Sequence, residues 1–374
     1  MKMNITIIGS GHAGSTVAAD LSLKGHRVTL MKTSNKIHNE HFAKILSSKK
    51  IYIHENETIK LSEVFATTDL SIAISQAELV IIFLQTNYHE SILKKISPFF
   101  RDGQYIMFQP GYMSTAYLLK YCEKAVTVIE AESSPIDCRI IEPGHVKVLF
   151  RNVLNPVGVY PRHKTNSAKI VLNNLEFPFE IISSVVEAAI HNPNLIVHTI
   201  GAIFSIPRIE YSKGKYSMYR EVFTPHIWNV VENLDLEKMN ILEKLGYKRI
   251  PYVEAFKRRN SINNQMDAKE IFFDYANNFS PTGPEIPDSR YITEDVPEGL
   301  VLLESLGKFL DINTPTCSGL INCASAALRR DFRIEGRTFE RLGISFVKKI
   351  LADKCSKTES CIEQLREEEC TKFH

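Results

Sequence analysis

The chain carries the run NITIIGSGHAG at residues 4–14. Its first part, Asn4–Ile8, is a short apolar stretch that predicts a buried strand. Its second part is a Gly-x-Gly-x-x-Gly pattern placed directly after that strand and at the start of a helical pattern. In this context the first glycine permits a tight turn, the second lets the backbone approach a pyrophosphate, and the third lets helix and strand pack closely. We predict a dinucleotide-binding loop, and the alternative is a glycine turn without a ligand. The predicted loop contacts are Gly9, Gly11, His12, Ala13 and Gly14.

Outward from this run, apolar strands alternate with helical patterns, which predicts a doubly wound parallel sheet. A helical pattern continues to about Lys24 and ends at Gly25. The further predicted strands are Arg27–Met31, Leu79–Leu84, Tyr105–Phe108 and Val126–Glu130.

The pattern changes twice further along the chain. Three short alternating runs predict an antiparallel extension of the sheet: Ile136–Ile141, Val146–Phe150 and Pro156–Tyr160. After about residue 185 the stretches are amphipathic and helical. The predicted helices are Leu195–Ser205, Pro225–Leu245, Pro297–Leu310, Pro315–Arg329 and Phe339–Ala352. We therefore predict an α/β fold with a Rossmann domain at residues 1–185 and an all-α domain at residues 186–374.

Composition and charge exclude several classes of protein. The 374 residues contain 45 Lys and Arg against 43 Asp and Glu, a net charge of +2. This balance predicts neither a nucleic-acid footprint nor a polybasic membrane patch. Neither a transmembrane run nor a signal-peptide pattern is present, so we expect a cytoplasmic protein. The seven cysteines, including Cys355, Cys361 and Cys370, are expected to be free thiols. A homodimer stays open, because an apolar helix face fits a core and an interface equally well.

The end of the second strand bears on the choice of cofactor. An NAD site usually places an acidic residue there to hold the ribose 2′-hydroxyl. This chain has Lys32, Thr33 and Ser34 instead. We therefore favour NADP(H) over NAD(H), and the alternative is a solvated Lys32 with NAD(H).

Polar residues follow the next two strands at the sheet edge where ligands bind in such folds. Gln85 and Thr86 are predicted cofactor contacts, whereas Gln109 and Gly111 are predicted substrate contacts. The alternative for each is an ordinary loop residue.

Three residues of the second half are candidates for catalysis. His198 lies early in an apolar helix, and its alternative is a buried core histidine. Asp295 with Glu298 forms a capping-box pattern, so Asp295 is either a helix cap or the partner of a catalytic imidazole. Arg290 suits a substrate carboxylate, and its alternative is a surface ion pair. No metal site is expected, because His191 and His198 have no further ligand in view.

These features together resemble the opine dehydrogenases, the NAD/NADP octopine and nopaline dehydrogenase family. The resemblance covers nearly the whole chain. After the glycine loop it runs through residues 132–139, Asn194 with His198, residues 219–225, residues 234–237, residues 290–300, residues 305–307, residues 336–338 and residues 342–343. His191, in a His-Asn-Pro-Asn sequence, departs from the family pattern.

The resemblance implies a fold and an activity. The helical domain would be like that of 6-phosphogluconate dehydrogenase. The enzyme would condense an amino acid with an α-keto acid and reduce the imine with NAD(P)H, reversibly. Carried over by residue, the catalytic histidine falls on His198, its carboxylate partner on Asp295 and the arginine on Arg290. The implied substrate contacts are Arg290, His198, Gln109, Gly111 and Tyr291. The aromatic residues Tyr216, Tyr219, Trp228 and Tyr291 either line the substrate pocket or pack in the core.

Two other functions compete with this one. One is a hydroxy or keto acid reductase on the same two-domain plan, similar to ketopantoate reductase. Such enzymes rely on a catalytic lysine, which the helix of Asn194 and His198 lacks. The other is a non-catalytic NADP(H)-binding sensor, which any turnover would exclude.

Overall fold

A computed structural model describes residues 2–34, 36–261, 263 and 265–353. The predicted free thiols Cys355, Cys361 and Cys370 lie outside these residues. The strands are β1 (Asn4–Ile8), β2 (Arg27–Met31), β3 (Lys50–Glu55), β4 (Thr58–Glu63), β5 (Phe65–Thr67), β6 (Leu79–Ile82), β7 (Tyr105–Phe108), β8 (Thr127–Ala131), β9 (Ile136–Glu142), β10 (His145–Arg151), β11 (Asn155–Tyr160) and β12 (Phe179–Ile181).

The main sheet has the order β12-β11-β8-β7-β6-β1-β2-β5. Its strands from β5 to β8 are all parallel, and β1 lies between β2 and β6. This is the strand order of a dinucleotide-binding Rossmann sheet, with its switch point beside β1. The five parallel strands predicted from apolar runs are confirmed to within two residues at each end.

Only one of the three runs predicted to extend this sheet does so. Strand β11, which contains the run Pro156–Tyr160, pairs antiparallel with β8. The other two runs form the hairpin of β9 and β10, which joins β3 and β4 in a second sheet of order β4-β3-β10-β9. The prediction was wrong for these two because the free edge of β8 accepts one strand and β11 occupies it. Apolar residues of the second sheet pack instead in one core with helix α1 (His12–Leu23).

Every element from Val185 onward is helical. The helices after α1 are α2 (Asn39–Ser48), α3 (Leu70–Ser75), α4 (His89–Ile96), α5 (Ser114–Tyr121), α6 (Thr165–Asn174), α7 (Val185–Ile190), α8 (Asn194–Phe204), α9 (Ile206–Ser212), α10 (Met218–Glu221), α11 (Pro225–Lys244), α12 (Tyr252–Asn260), α13 (Ala268–Asn278), α14 (Arg290–Thr293), α15 (Val301–Phe309), α16 (Pro315–Leu328), α17 (Phe332–Glu335), α18 (Phe339–Leu342) and α19 (Ile344–Ala352).

Two predicted helices are interrupted. The stretch Phe339–Ala352 breaks at Gly343, whose φ of +88° ends α18. The stretch Pro297–Leu310 begins with a π-helical turn at Val296–Leu300 before α15 starts. Such turns are frequent at functional sites, and this one directly follows Asp295.

Helix α8 is the central helix of the second half. Its residues from Leu195 to Ile203 are buried all round, as expected of a helix enclosed by others. A single apolar core joins α8 to one face of the main sheet, so the helical half and the sheet pack as one body around it. No helix in the described part of the chain is both long enough and apolar enough to cross a membrane.

A buried arginine ties the two halves together. Arg337 is fully buried, and its guanidinium donates hydrogen bonds to the carbonyl oxygens of Thr86 and Gly111, at 2.7 Å each, and of Tyr112. It also forms an ion pair with Glu298 in the π-helical turn. The loops after β6 and β7 are therefore fixed against the helical half by one side chain.

We expect Arg337→Leu to lower the free energy of unfolding by about 3–5 kcal/mol, because it leaves the carboxylate of Glu298 buried without its partner. Urea denaturation followed by circular dichroism measures this. The matched control is Arg341→Leu, since Arg341 lies at the surface with its Nε 3.7 Å from Glu90 Oε2 and should cost about 0–1 kcal/mol. Equal effects of the two substitutions would contradict the role given to Arg337.

Candidate active site

A cavity of about 920 Å³ runs from the glycine loop to the helical half. This is within the range of cofactor and ligand sites. Its walls at one end are Gly9–Gly14 and the end of β2, and at the other end they come from α8, α12, α13 and α14. Most of the predicted site residues line this one cavity, although they come from distant parts of the chain.

The glycine loop is shaped to receive a ligand. A Cβ atom on Gly9, whose φ is +113°, would lie 2.4 Å from the carbonyl oxygen of Phe83, and one on Gly14 would lie 1.8 Å from that of Gly9. A Cβ atom on Gly11 would meet only His38, at 3.6 Å. The fold therefore requires the first and third glycines, whereas the second leaves open space at the N-terminus of α1. Free amide groups there suit a phosphate.

His12 lines the cavity and also anchors the second sheet. Its Nδ1 accepts a hydrogen bond from the backbone amide of Ile140 in β9, at 2.9 Å. Burial is the main cause that lowers the pKa of His12, to about 4. The imidazole therefore stays neutral at physiological pH, and Ile140 holds its orientation beside the loop.

The end of β2 places Lys32, Thr33 and Ser34 on the cavity wall as predicted, together with Lys36. The ammonium group of Lys32 is buried and donates a hydrogen bond to the carbonyl oxygen of Ile37. Burial lowers the pKa of Lys32. Among the described residues that line the cavity, the acidic ones are Asp137 and Glu294, and neither belongs to this strand end.

The loops after β6 and β7 each contain one residue that lines the cavity and one that contacts other protein groups. Gln85 and Gln109 line the cavity, but Thr86 and Gly111 do not. The amide and hydroxyl of Thr86 both donate to Oε1 of Glu294, at 2.8 and 3.0 Å. Gly111 faces the buried carboxylate of Glu130, which would lie 1.9 Å from an added Cβ. Thr86 and Gly111 are thus placed against other protein groups, outside the cavity lining, and their predicted contacts stay predictions.

His198 and Asp295 form a buried pair although 97 positions separate them. Nδ1 of His198 lies 2.8 Å from Oδ2 of Asp295, and the Tyr112 hydroxyl donates to Oδ1 at 3.0 Å. Burial lowers the pKa of His198, and the hydrogen bond to Asp295 opposes that decrease. With Nδ1 engaged, Nε2 is the ring nitrogen left for a molecule in the cavity.

Asp295 is not a helix cap. Its backbone is helical, with φ −76° and ψ −23°, and its side chain caps no amide. Glu298, the other half of the predicted capping box, pairs with Arg337. The tertiary contacts of both carboxylates thus override the local pattern.

Arg290 and Tyr291 complete the surroundings of His198. The Tyr291 ring stacks on the imidazole with centroids 3.7 Å apart and planes 5° apart. Arg290 lies half-exposed on the cavity, and its Nε is 3.2 Å from Oε2 of the buried Glu294. The guanidinium therefore keeps free donors for an anion beside the histidine.

Of the other predicted pocket aromatics, Tyr219 lines the cavity, whereas Tyr216 and Trp228 are packing residues. The Tyr216 hydroxyl bonds to Ser205, and Trp228 lies edge-on to Phe272. The cavity also has lining residues that the sequence did not single out as contacts, Asp137, Arg139, Arg259 and Tyr275. Asp137 and Arg139 lie in the family-like segment 132–139. Arg259 ends a run of three basic residues, a pattern typical of a solvated helix end.

Comparison with known proteins supports the resemblance. Residues 181–328 match the family described as NAD/NADP octopine/nopaline dehydrogenase, alpha-helical domain, and residues 5–155 match ketopantoate reductase PanE/ApbA. An opine dehydrogenase of Arthrobacter sp. (strain 1C) is 25% identical over 346 residues, which are 91% of this chain and 94% of that protein. The chain is thus similar to opine dehydrogenases along most of its length, and the resemblance seen in the sequence is confirmed.

Solved structures of opine dehydrogenases share the fold of this chain. An octopine dehydrogenase with NADH and L-arginine superposes with a TM-score of 0.74 at 18% identity, covering 96% of this chain and 100% of that one. A yersinopine dehydrogenase with bound NADP+ gives a TM-score of 0.70 at 16% identity, covering 94% and 97%. The predicted Rossmann sheet followed by a helical domain is confirmed.

The glycine loop yields a test that separates binding from folding. We expect Gly11→Ala to fold normally but to weaken NAD(P)H binding about tenfold or more, because its methyl group fills the space of the phosphates. We expect Gly14→Ala to destabilise the protein by about 1–3 kcal/mol, because its methyl group overlaps the carbonyl of Gly9. Thermal melting and fluorescence titration with NADPH measure the two effects.

The matched control is Gly319→Ala in α16, where an added Cβ meets no heavy atom within 4 Å. It should leave binding unchanged and stabilise the helix by about 0.5–1 kcal/mol. Unchanged NAD(P)H affinity in Gly11→Ala would show that the dinucleotide does not lie on this loop.

Proposed function

We propose that this protein catalyses the reversible, NAD(P)H-dependent condensation of an amino acid with an α-keto acid to an N-(carboxyalkyl) amino acid. The enzyme is an NAD(P)-dependent oxidoreductase that acts on a CH–NH group. The observation that supports this most strongly is the buried His198–Asp295 pair on a cavity continuous with the dinucleotide loop.

His198 is proposed as the general acid and base. The amino group attacks the keto carbon and water leaves to give an imine, and these steps need a proton donated to the departing oxygen. Nε2 of His198 faces the cavity, while Asp295 holds Nδ1 and so fixes the tautomer. Asp295 also stabilises the imidazolium that forms in the reverse direction. NAD(P)H, when bound, supplies the hydride that reduces the imine.

Arg290 is proposed to hold the keto acid carboxylate. Its planar guanidinium can bind a carboxylate through two parallel hydrogen bonds while Glu294 fixes its Nε side. This would align the keto carbon between His198 and the nicotinamide and raise the effective concentration of the reacting groups.

The ketopantoate-reductase alternative is weaker. The lysines among the described cavity residues are Lys32, Lys36 and Lys95, all on elements of the nucleotide-binding half. The position that faces the reacting centre is occupied by His198 on α8. A catalytic lysine of the kind that such reductases use is therefore missing from the described helical walls of the cavity.

We expect His198→Ala to lower kcat/KM by about 10²–10⁴ because it removes the acid and base, with little change in cofactor affinity. Amine-dependent oxidation of NADPH at 340 nm measures the rate. His163→Ala is the matched control, since His163 is exposed on a turn away from the cavity. Turnover of His198→Ala at the rate of the unmodified enzyme would contradict the role.

The pH dependence tests the pair as a unit. In the direction of opine oxidation, His198 must be neutral to accept a proton, so kcat/KM should rise with pH and level off above the pKa of His198. Burial lowers that pKa below its ordinary value of 6.5, and Asp295 raises it. Asp295→Asn should therefore displace the rise to lower pH in a less active enzyme, whereas displacement to higher pH would contradict the pairing.

We further propose a preference for NADP(H). The support is the cluster of Lys32, Lys36 and two hydroxyls at the end of β2, where a carboxylate would repel a 2′-phosphate. The solved yersinopine dehydrogenase with NADP+ shows that this fold accommodates that cofactor. The opposite preference would leave Lys32 as a structural residue that holds Ile37.

We expect Lys32→Gln to lower the ratio of kcat/KM for NADPH to that for NADH by about tenfold, the effect of losing one charged hydrogen bond. Lys60→Gln on the exposed strand β4 is the matched control and should leave the ratio unchanged. An unchanged ratio in Lys32→Gln would place Lys32 away from the 2′ position.

Three further predictions stay proposals. The boundary near residue 185 lies between β12, the last strand, and α7. A cytoplasmic location fits the free thiols of Cys122, Cys138, Cys317 and Cys323 among the described residues. A homodimer stays a prediction that sedimentation can test.

A further inference from the structure

The end of the cavity remote from the glycine loop has a distinct character. Its walls are the aromatic rings of Tyr252, Phe256 and Tyr275 from α12 and α13, and Arg259 lies among them. The proposed roles of His198 and Arg290 leave this end unused. The substrate groups that reach it are those farthest from the reacting carbon.

Arg259 is a buried cation with no ion-pair partner among the residues that the structure describes. The residue is only 7% exposed, yet its guanidinium makes neither a hydrogen bond nor an ion pair with any of the described residues. Its charged group lies 5.5 Å from the Phe256 ring centre, and its backbone carbonyl accepts from the amide of Val153. Burial of an unpaired charge is costly, so a group that pairs with it is expected from the cavity.

Among the described residues, Glu132 and Asp137 carry the carboxyl groups on which the charge of Arg259 acts most, but neither forms an ion pair with it. Asp137 lines the same cavity but forms no ion pair with it at or below 4.0 Å. Glu132 is buried and does not line the cavity, and burial raises its pKa to about 8, which favours the uncharged carboxyl. The positive charge of Arg259 is therefore available to a ligand.

The Tyr252 hydroxyl is a neutral hydrogen-bond donor on the same helix as Arg259. The Tyr252 hydroxyl is buried and has no hydrogen-bond partner among the described residues, although its ring lines the cavity. A carboxylate held by a planar guanidinium has lone pairs left for such a donor.

Three arginines line the cavity, Arg139, Arg259 and Arg290. Arg290 directly precedes Tyr291, whose ring stacks on His198, and Arg139 lines the cavity from β9. Arg259 lies on α12 beside the Phe256 ring and also lines the cavity. Arg290 suits the carboxylate of the keto acid, which is attached to the reacting carbon. Arg139 suits the α-carboxylate of the amino acid, which lies next to the reacting nitrogen. Arg259 is left for a third carboxylate.

We propose that Arg259 binds the side-chain carboxylate of the amino acid, so that the amino substrate of this enzyme is an acidic amino acid. This inference rests on the proposed function. It identifies the class of the amino substrate and the residue that selects it. The same charge would repel the cationic side chain of arginine or lysine.

The test compares a carboxylate with its amide. NADPH oxidation is measured with pyruvate, oxaloacetate and 2-oxoglutarate, each combined with L-glutamate, L-aspartate, L-glutamine, L-asparagine or L-arginine. With the unmodified enzyme, kcat/KM for an acidic amino acid should exceed that for its amide by at least about tenfold, since a hydrogen bond to a charged group is lost in the amide. Arginine should be poorer still.

The variant Arg259→Gln should bring the ratio of acid to amide close to one, and Arg259→Lys should keep part of it. The matched control is Arg258→Gln, the same change at the preceding position, where Arg258 is half-exposed and paired with Glu180 at 2.6 Å. Its ratio should equal that of the unmodified enzyme. Thermal melting of each variant shows that it is folded before its ratio is compared.

The outcomes separate this inference from the proposed function. Amine-dependent oxidation that prefers amides or arginine overturns the acidic class alone. An equal loss for acid and amide in Arg259→Gln shows that Arg259 holds the α-carboxylate, and this also overturns the inference. Oxidation that needs no amino acid, or none with any pair, overturns the proposed function itself.

Discussion

The site depends on one buried guanidinium, that of Arg337. Its hydrogen bonds to the carbonyl oxygens of Gly111 and Tyr112 hold the loop after β7, in which Tyr112 has a φ of +47°, a conformation costly for a residue with a side chain. That loop directs the Tyr112 hydroxyl to Asp295, which in turn orients His198. The position of the His198 imidazole therefore depends on the contact that Arg337 makes between the sheet and the helical half.

The same contact explains why each of the two loops at the sheet edge has one residue that lines the cavity and another that binds protein groups. The loop after β6 presents Gln85 to the cavity while Thr86 is bound by Glu294 and Arg337. Glu294 then also fixes Arg290. Substrate groups and sheet loops are thus coupled through one buried carboxylate, so the geometry at Arg290 responds to how the two halves pack.

Charge changes along the cavity in the order that the proposed reaction needs. Lysines and free amides line the cavity at the nucleotide end, whereas the His198 imidazole and Arg259 line it from the helices of the second half. This sequence of charges fits a dinucleotide phosphate, a reacting carbonyl and substrate carboxylates in turn. Arg259 is the proposed determinant of selectivity, because a buried charge beside aromatic rings acts more strongly on a ligand than one in water.

The sequence by itself determined the parallel sheet, the glycine loop and the helical second half, because apolar periodicity and glycine spacing are local properties. It also supplied His198, Arg290 and Asp295 as candidates, but it left Asp295 open between cap and catalytic partner. Only the tertiary structure decided that Asp295 meets His198, that the β9–β10 hairpin joins β3 rather than the main sheet, and that Thr86 and Gly111 face protein groups. Arg259, within a run of three basic residues, became visible only when α12 was placed against the cavity. The burial of a side chain, the pairing of two charged groups and the choice of strand at a sheet edge all depend on residues far apart in the chain. A local sequence pattern therefore does not determine them.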